Sequence, residues 1–388
     1  MSIVTPRGAY IHIPFCVRKC AYCDFLSFPG QLDKRSGYVE ALCREIALSS
    51  NKNDTLSSIY LGGGTPTVLD AEMISRILSA LSDAFTIGPD CEITIEGNPG
   101  TLDEPSLSAL KKIGVNRLSL GIQSLSDLVL QTLGRIHDAE TGKKAIEAAQ
   151  EAGFRNLSCD IMLGIPGQTM EDVKETLDFF LLRKIPHISL YSLILEEGTP
   201  MYERYGGDVE KYVSQEQDRE MYHYVVDTLA SKGYEHYEIS NMALPGYESR
   251  HNTLYWRAEN YYGFGVGAHY YLGNERGRHT ESLKEYMDIL GVAGDSWSGD
   301  ISLEDFHIPE EVLTKEDRMK EFMMLGFRMG CGVNDKDFEE RFGVTMDSAF
   351  ADVLKKEREA GLILYEKGFW RLTEKGFDLA NQVFQDYI

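Results

Sequence analysis

Three cysteines, Cys16, Cys20 and Cys23, fall in C-x3-C-x2-C spacing within the stretch YIHIPFCVRKCAYCDF, residues 10–25. Thiolates are soft ligands that suit iron–sulfur clusters and zinc. Zinc ordinarily takes two C-x2-C knuckles, and no second knuckle or H-x3-H pair follows in the chain. A dithiol redox pair uses C-x-x-C beside a thioredoxin-like pattern and leaves the third thiol surplus. Packed cysteines would follow strand or helix period, whereas Arg18 and Lys19 between the first two suit an exposed loop. The spacing therefore favours a cubane cluster over these three readings. A four-iron cubane usually takes four cysteines. Three leave one iron with an open position, the logic that separates catalytic from structural zinc sites. Cys43, Cys91, Cys159 and Cys331 carry no spacing signal and read as packed thiols.

Other elements must hold that loop and build a cavity beside it. AYIHIPF, SIYLGGG, EITIEGNP, RLSLGIQS, NLSCDIMLG and HISLYSLIL read as six strands, separated by amphipathic stretches such as DAEMISRILSALSDAF and AETGKKAIEAAQEAG. Alternating β and α implies a parallel sheet, and six units imply a barrel short of the full eight. Successive strand side chains point to opposite faces. Thr94, Glu96 and Asn98 thus share a face, as do Ser119, Gly121 and Gln123, and Ser158 and Asp160. Each strand presents small or polar groups on one side near its C-terminal end, where such barrels carry their sites. A polar group facing a barrel interior needs a partner, either a bound ligand or a network among the barrel-filling residues. GGGTPT, residues 62–67, ends the second strand, and its glycines permit positive φ and close approach of a ligand. GFGVGA, residues 263–268, fits G-x-G-x-x-A, but it follows no strand and opens no helix. A dinucleotide fold is rejected on that context.

The chain has 388 residues, 43% hydrophobic and 26% charged, enough for one large domain and a smaller one. No apolar run reaches eighteen residues, so no membrane span is expected, and MSIVTPRGAY lacks the apolar core of a secretory signal. Seven cysteines, mostly scattered, suggest a reducing cytosol. A net charge of −22 repels phosphate backbones, so nucleic acid is not expected as a partner. After the plausible linker GDSWSGDIS, helical patterns lead to LILYEKGFWRLTEKG, two short strands around a Lys-Gly turn. Helices followed by a small hairpin suggest a winged helix. From Phe306 onward the chain has 12 basic and 17 acidic residues, so a lid or docking role is expected rather than DNA binding.

With Tyr22 before the last cysteine, the C-x3-C-x2-C run resembles the signature of the radical S-adenosylmethionine (SAM) superfamily. The resemblance implies a [4Fe-4S] cluster on Cys16, Cys20 and Cys23, SAM chelating the open iron, and an α/β fold with a partial (β/α)6 barrel. YIHIPFC, GGGTPT, EGNP, GIQS, LGRIH and CDIMLGIPGQ, in that order, are similar to one branch, the coproporphyrinogen dehydrogenase-like proteins. That likeness implies a cofactor-binding set of Tyr10, Tyr22, Gly63, Gly64, Thr65, Glu96, Gln123, Arg135 and Asp160. Arg135 would meet the SAM carboxylate, and Glu96, Gln123 and Asp160 would accept from the amino group and ribose hydroxyls. Two features depart from the dehydrogenases of the branch. Phe25 stands where they keep a further cysteine, and the chain reaches Cys16 without their longer N-terminal arm.

HNTLYW, residues 251–256, instead matches the H-N-x-x-Y-W motif of haem chaperones in that branch, as does YEIS, residues 237–240. This implies haem binding, with His251 as the candidate ligand and Tyr255 and Trp256 as flat surface for the macrocycle. The plainer reading of His251 is a satisfied histidine beside core aromatics. The resemblance implies a chaperone that binds haem, a cluster and SAM and delivers haem to acceptor proteins. A radical SAM coproporphyrinogen III dehydrogenase, or another radical reaction on a porphyrin, is the alternative. Three parts are expected: a barrel over 1–245, a haem-associated segment and linker over 246–300, and a winged-helix-like domain over 301–388. Expected partners are haem or porphyrin, haem-accepting proteins, a low-potential electron donor and a second copy in a homodimer. The expected location is the cytoplasm or the membrane periphery.

Overall fold

Each of the six apolar runs forms a strand in the computed structural model, which describes residues 7–291, 301–302 and 305–388. They are β1 (Arg7–Ile13), β2 (Thr55–Gly63), β3 (Thr86–Gly97), β4 (Arg117–Gln123), β5 (Asn156–Leu163) and β6 (His187–Ser192), parallel and adjacent in sequence order. Helices α1 (Arg35–Leu48), α2 (Ala71–Ala84), α3 (Glu104–Lys112), α4 (Asp127–Thr132), α5 (Ala139–Glu151) and α6 (Met170–Leu182) make the crossovers. α7 (Pro200–Tyr205) and α8 (Gln215–Ser231) follow β6. Helix α2 shows the local logic. Asp70 caps it, accepting from the Met73 N–H at 2.8 Å, and Ile74, Ile77, Leu78 and Leu81 bury one face. Each of those side chains contributes about 1.5–3 kcal/mol by leaving water. The register aligns the polar faces too: Glu96 lies opposite Ser119, Ser119 opposite Ser158, and Asp160 opposite Ser189.

The sheet extends beyond the barrel at both ends. β7 (Glu235–Glu238) and β8 (Asn241–Ala243) add antiparallel beside β6. Helix α9 (Arg250–Trp256) follows. β9 (Tyr261–Phe264) then pairs parallel with β1, and β10 (His269–Leu272), β11 (Glu275–His279) and β12 (His307–Val312) continue antiparallel to give twelve strands. Helix α10 (Leu283–Ile289) lies between β11 and β12. Within the expected segment 246–300, β9, β10 and β11 belong to the same sheet as the barrel strands, β9 paired with β1 and β11 with β12. β12 belongs to this sheet too, beyond the expected boundary at 300. In the expected linker GDSWSGDIS, residues 294–300 lie outside the described residues. GFGVGA, expected to follow no strand, begins at the end of β9; it then leads into β10, with no helix opening after it.

The C-terminal unit starts after β12. It contains α11 (Lys315–Gly326), β13 (Val333–Asn334), α12 (Asp335–Phe342), α13 (Met346–Glu359), β14 (Ile363–Glu366), β15 (Phe369–Leu372), α14 (Glu374–Asp378) and α15 (Ala380–Gln385). Its strands form a small sheet in the order β13-β15-β14. Lys367 and Gly368 both have positive φ, +53° and +86°, the backbone that a two-residue hairpin with matching twist requires. Phe327, Phe338 and Leu372 fill a core of its own. The unit docks on the barrel through backbone: Ile239 N–H donates to Arg328 O at 3.0 Å, and Gly330 N–H to Tyr237 O at 2.8 Å. Arg328 also lies 4.3 Å over the Trp256 ring.

Candidate functional site

The cysteine loop leaves the C-terminal end of β1 and is zipped to the glycine turn after β2. Gly64 N–H donates to Ile13 O at 2.9 Å and Thr65 N–H to Phe15 O at 2.8 Å. The glycines allow this contact. Gly63 has φ +105°, and a Cβ there would sit 2.5 Å from the His12 ring; a Cβ on Gly64 would sit 2.7 Å from Phe15 O. On the far side, Ala21 N–H bonds Leu133 O at 3.0 Å and accepts, through its carbonyl, the Met201 N–H at 2.9 Å. The loop is thereby suspended between the ends of β1 and β2 on one side and the end of α4 and the start of α7 on the other.

A cavity of about 500 Å³ opens under it at the C-terminal ends of the strands. Its wall includes Cys16, Cys20, Cys23, Tyr22, Gly63, Gly64, Thr65, Glu96, Gln123, Arg135 and Asp160, and so brings together nearly every expected cluster and SAM residue. Tyr10 and His251 are the exceptions. Tyr10 lies behind the wall, its hydroxyl 3.0 Å from His12 Nδ1 and its ring against Tyr60 and His251.

The chemistry of the wall fits the cluster and SAM. All three thiols are free, and burial raises the Cys16 and Cys23 pKa, the latter to about 11, so iron must displace their protons. Glu96 is raised to about 7 and Asp160 to about 6, chiefly by burial. Bonds from the Tyr60 hydroxyl at 2.7 Å and Gly63 N–H at 3.2 Å only partly offset this for Glu96. Across the cavity, Arg135 Nη2 donates to Asn98 Oδ1 and Gly121 O, and Nη1 reaches Tyr22 OH at 3.4 Å and Cys20 Sγ at 3.5 Å. Its Nε is buried without a partner. A guanidinium with an unused N–H faces two carboxylates that burial holds partly protonated. That arrangement suits a ligand with an anionic end and a cationic end, as the carboxylate and the amino and sulfonium groups of SAM provide.

Several wall residues were given no ligand role from sequence. Ser189 and Tyr191 share one face of β6 by the same alternation that picked out Glu96 and Gln123, and the Tyr191 hydroxyl donates to Gln123 Oε1 at 2.9 Å. Asn98 donates to Thr65 Oγ1 at 2.9 Å. Ser240, Asn241 and Asn252 line the wall from the β7–β8 corner and α9. Phe25, where the dehydrogenases carry a cysteine, is 64% exposed at the mouth.

His251 is placed differently from the haem-ligand expectation. It is 1% exposed, with Nδ1 2.8 Å from Ser58 Oγ and Nε2 2.8 Å from Tyr255 OH. Its ring stacks on Tyr60 with centroids 5.1 Å apart. Burial, reinforced by the Arg117 charge, lowers its pKa to about 3, so it is neutral and both nitrogens are in use. Ser249 caps α9, and the buried Glu92 accepts from the Arg250 and His251 N–H groups at 3.3 Å, fixing this placement. Nor is Trp256 an open surface, since Arg328 covers it. The member of HNTLYW that reaches the cavity is Asn252.

Residues 10–180 match the radical SAM superfamily, and residues 313–379 match the HemN C-terminal domain. The chain is 36% identical over 383 residues to the heme chaperone HemW of Lactococcus lactis subsp. lactis, covering 99% of this chain and 97% of that one. It is 37% identical over 385 residues to the heme chaperone HemW of Bacillus subtilis, covering 98% and 99%. Among solved structures, coproporphyrinogen III oxidase HemN of Escherichia coli, a radical SAM enzyme, superposes with a TM-score of 0.82 at 23% identity, over 98% of this chain and 90% of that one. That last likeness concerns the fold.

Proposed function

Because the chain belongs to the HemW family within the radical SAM superfamily, we propose that it is a haem chaperone, binding haem, a [4Fe-4S] cluster and SAM and passing haem to acceptor proteins. The observation that carries this reading is the likeness to heme chaperones over essentially the whole of both chains. Phe25 at the cavity mouth, in place of a further thiol, supports it. Cys16, Cys20 and Cys23 would hold the cluster, and Arg135, Glu96, Asp160 and Gln123, with Tyr22 and the Gly63–Thr65 turn, would hold SAM. When bound and reduced, a cluster of this kind supplies an electron that can cleave SAM. This chain's own part is to bind the ligand by both charged ends and to shield it within the barrel.

Tyr10 and His251 enter the reading as braces behind the SAM wall, through the rings of Tyr60 and His251 and the Tyr60 hydroxyl on Glu96. Ligation of haem iron by His251 would require its bond to Tyr255 to open. A low-potential electron donor belongs to the proposal for any reductive step, and self-association is tested by sedimentation with and without haem. A cytosolic location is supported by the seven free thiols; no described helix is long and apolar enough to cross a membrane. Residues 313–388 are proposed as the module that an acceptor meets.

The second reading, a radical SAM reaction on a porphyrin, is favoured by the intact cavity wall. One experiment separates the two. The protein with reconstituted cluster is incubated anaerobically with reductant, SAM and coproporphyrinogen, and in parallel loaded with haem and mixed with an apo-haemoprotein. Haem transfer without vinyl products is expected. Vinyl products formed at about 1 s⁻¹ or faster would replace the chaperone reading with the enzyme.

A further inference from the structure

Outside the cysteine-lined cavity, three ligand-type side chains from three elements converge in a buried place. Glu45 comes from α1, His279 ends β11 and His307 begins β12, and their ligand atoms lie within 4.8 Å of one another. His279 and His307 are register partners in the antiparallel β11–β12 pair, so both rings leave the same face of the sheet toward α1. Glu45 and His279 are 0% exposed. Glu45 Oε1 and His279 Nε2 face each other at 2.9 Å as a buried pair. His307 Nε2, buried beside them, has no hydrogen-bond partner. Such a group is costly unless something joins it.

The remaining atoms are already committed. Glu45 Oε2 accepts from Gly265 N–H at 2.9 Å and from the Tyr286 hydroxyl. His279 Nδ1 lies 2.8 Å from Ala268 O and must donate to it, since a carbonyl only accepts. Donation from Nδ1 to a backbone carbonyl fixes the tautomer that aims the Nε2 lone pair outward, as metal-bound histidines commonly have it.

We propose that Glu45, His279 and His307 form a binding site for a divalent transition-metal ion of the zinc class, distinct from the cysteine cluster. Two imidazoles and one carboxylate are a donor set such ions favour. Closing the observed span onto ligand distances of about 2.0–2.2 Å asks for side-chain movements on the order of 1 Å. A cavity of about 280 Å³ reaches the site only through His307, which borders it with Tyr270 and Leu272. The ion would fasten the β11–β12 end of the sheet to α1. Without it, His279 Nε2 and Glu45 Oε1 pair with each other, and the ion would take its place between them.

The test uses the untagged full-length protein with its cluster reconstituted, and the Cys16→Ala/Cys20→Ala/Cys23→Ala variant to remove thiolate binding. Zn²⁺ is titrated against a chromophoric chelator, and bound zinc is counted after gel filtration. About one equivalent of zinc is expected in both proteins. His307→Ala should weaken it by about 100-fold or more. His307 is partly exposed at the start of a strand, so this variant should fold; far-UV circular dichroism checks that it does. Zn²⁺ should raise the melting temperature of the parent and not of His307→Ala. Absence of zinc binding in the triple-cysteine variant, or unchanged binding in His307→Ala, would overturn the site and leave a buried Glu45–His279 ion pair. Neither result bears on haem transfer.

Discussion

His251→Ala distinguishes a brace from a haem ligand, and its cost follows from the geometry. Truncation leaves the Ser58 and Tyr255 hydroxyls without the imidazole nitrogens now 2.8 Å from each. An orphaned buried hydroxyl costs about 1–3 kcal/mol, and loss of the ring packed on Tyr60 and Tyr255 adds about 0.5–1.5 kcal/mol beyond its area. For the two hydroxyls and the ring together this comes to about 2.5–7.5 kcal/mol, a large share of the roughly 5–15 kcal/mol that holds a typical domain together. The assay is denaturant unfolding of protein without cluster or haem, so neither ligand contributes to the difference. SAM affinity should fall several-fold in the same variant, because Tyr60 loses its stacking partner and its hydroxyl orients Glu96. A stability loss under about 1 kcal/mol together with abolished haem binding and unchanged SAM affinity would refute the brace. It would make His251 a ligand that reaches haem in another conformation.

Cys16→Ala, Cys20→Ala and Cys23→Ala should each lose the cluster's visible absorbance after reconstitution, while Cys43→Ala, on α1 away from the cavity, should keep it; iron retained at four per chain in any of the three would undo the ligand assignment. Arg135→Ala should weaken SAM binding by about 2–3 kcal/mol, the cost of losing a charge-assisted bond, with iron content unchanged, as read by equilibrium dialysis. SAM binding should weaken as pH falls through about 7 and then about 6, since protonated Glu96 and Asp160 no longer attract its cationic groups. Up to about tenfold per pH unit is expected for each group, and Glu96→Gln should remove one of the two steps. In the ligand-free protein the linkage has the opposite sense. The folded state holds protons on these carboxyls that the unfolded chain has released, so the stability they lend is present at low pH and is lost as pH rises from about 4 toward about 7.

The six barrel strands and the faces of their polar residues were legible because a two-residue period in an apolar run is a local signal. So was the Lys367–Gly368 turn, whose residue types carry the backbone preference themselves. The extension through β9, β10 and β11 was not. These strands have four or five residues each, and YYGF, HYYL and ERGRH show no clean alternation. Only their pairing with β1 and one another makes them strands. In HNTLYW the sequence did not show which residue faces the cavity. Each helical step turns by about 100°, so burying His251 toward Ser58 sends its neighbour Asn252 to the cavity. That choice is made by Glu92 and Ser249, one of them 159 residues away. The glycines after β2 were read as room for a ligand, whereas Gly63 and Gly64 are needed first for the close approach of His12 and Phe15.

The C-terminal unit is fastened to the barrel through the backbone of the β7–β8 corner, by the Ile239–Arg328 and Gly330–Tyr237 bonds. Ser240 and Asn241, the next residues of that corner, face the cavity. One short corner thus touches both parts, and a displacement of the C-terminal unit would be felt first at Ser240 and Asn241, on the cavity wall.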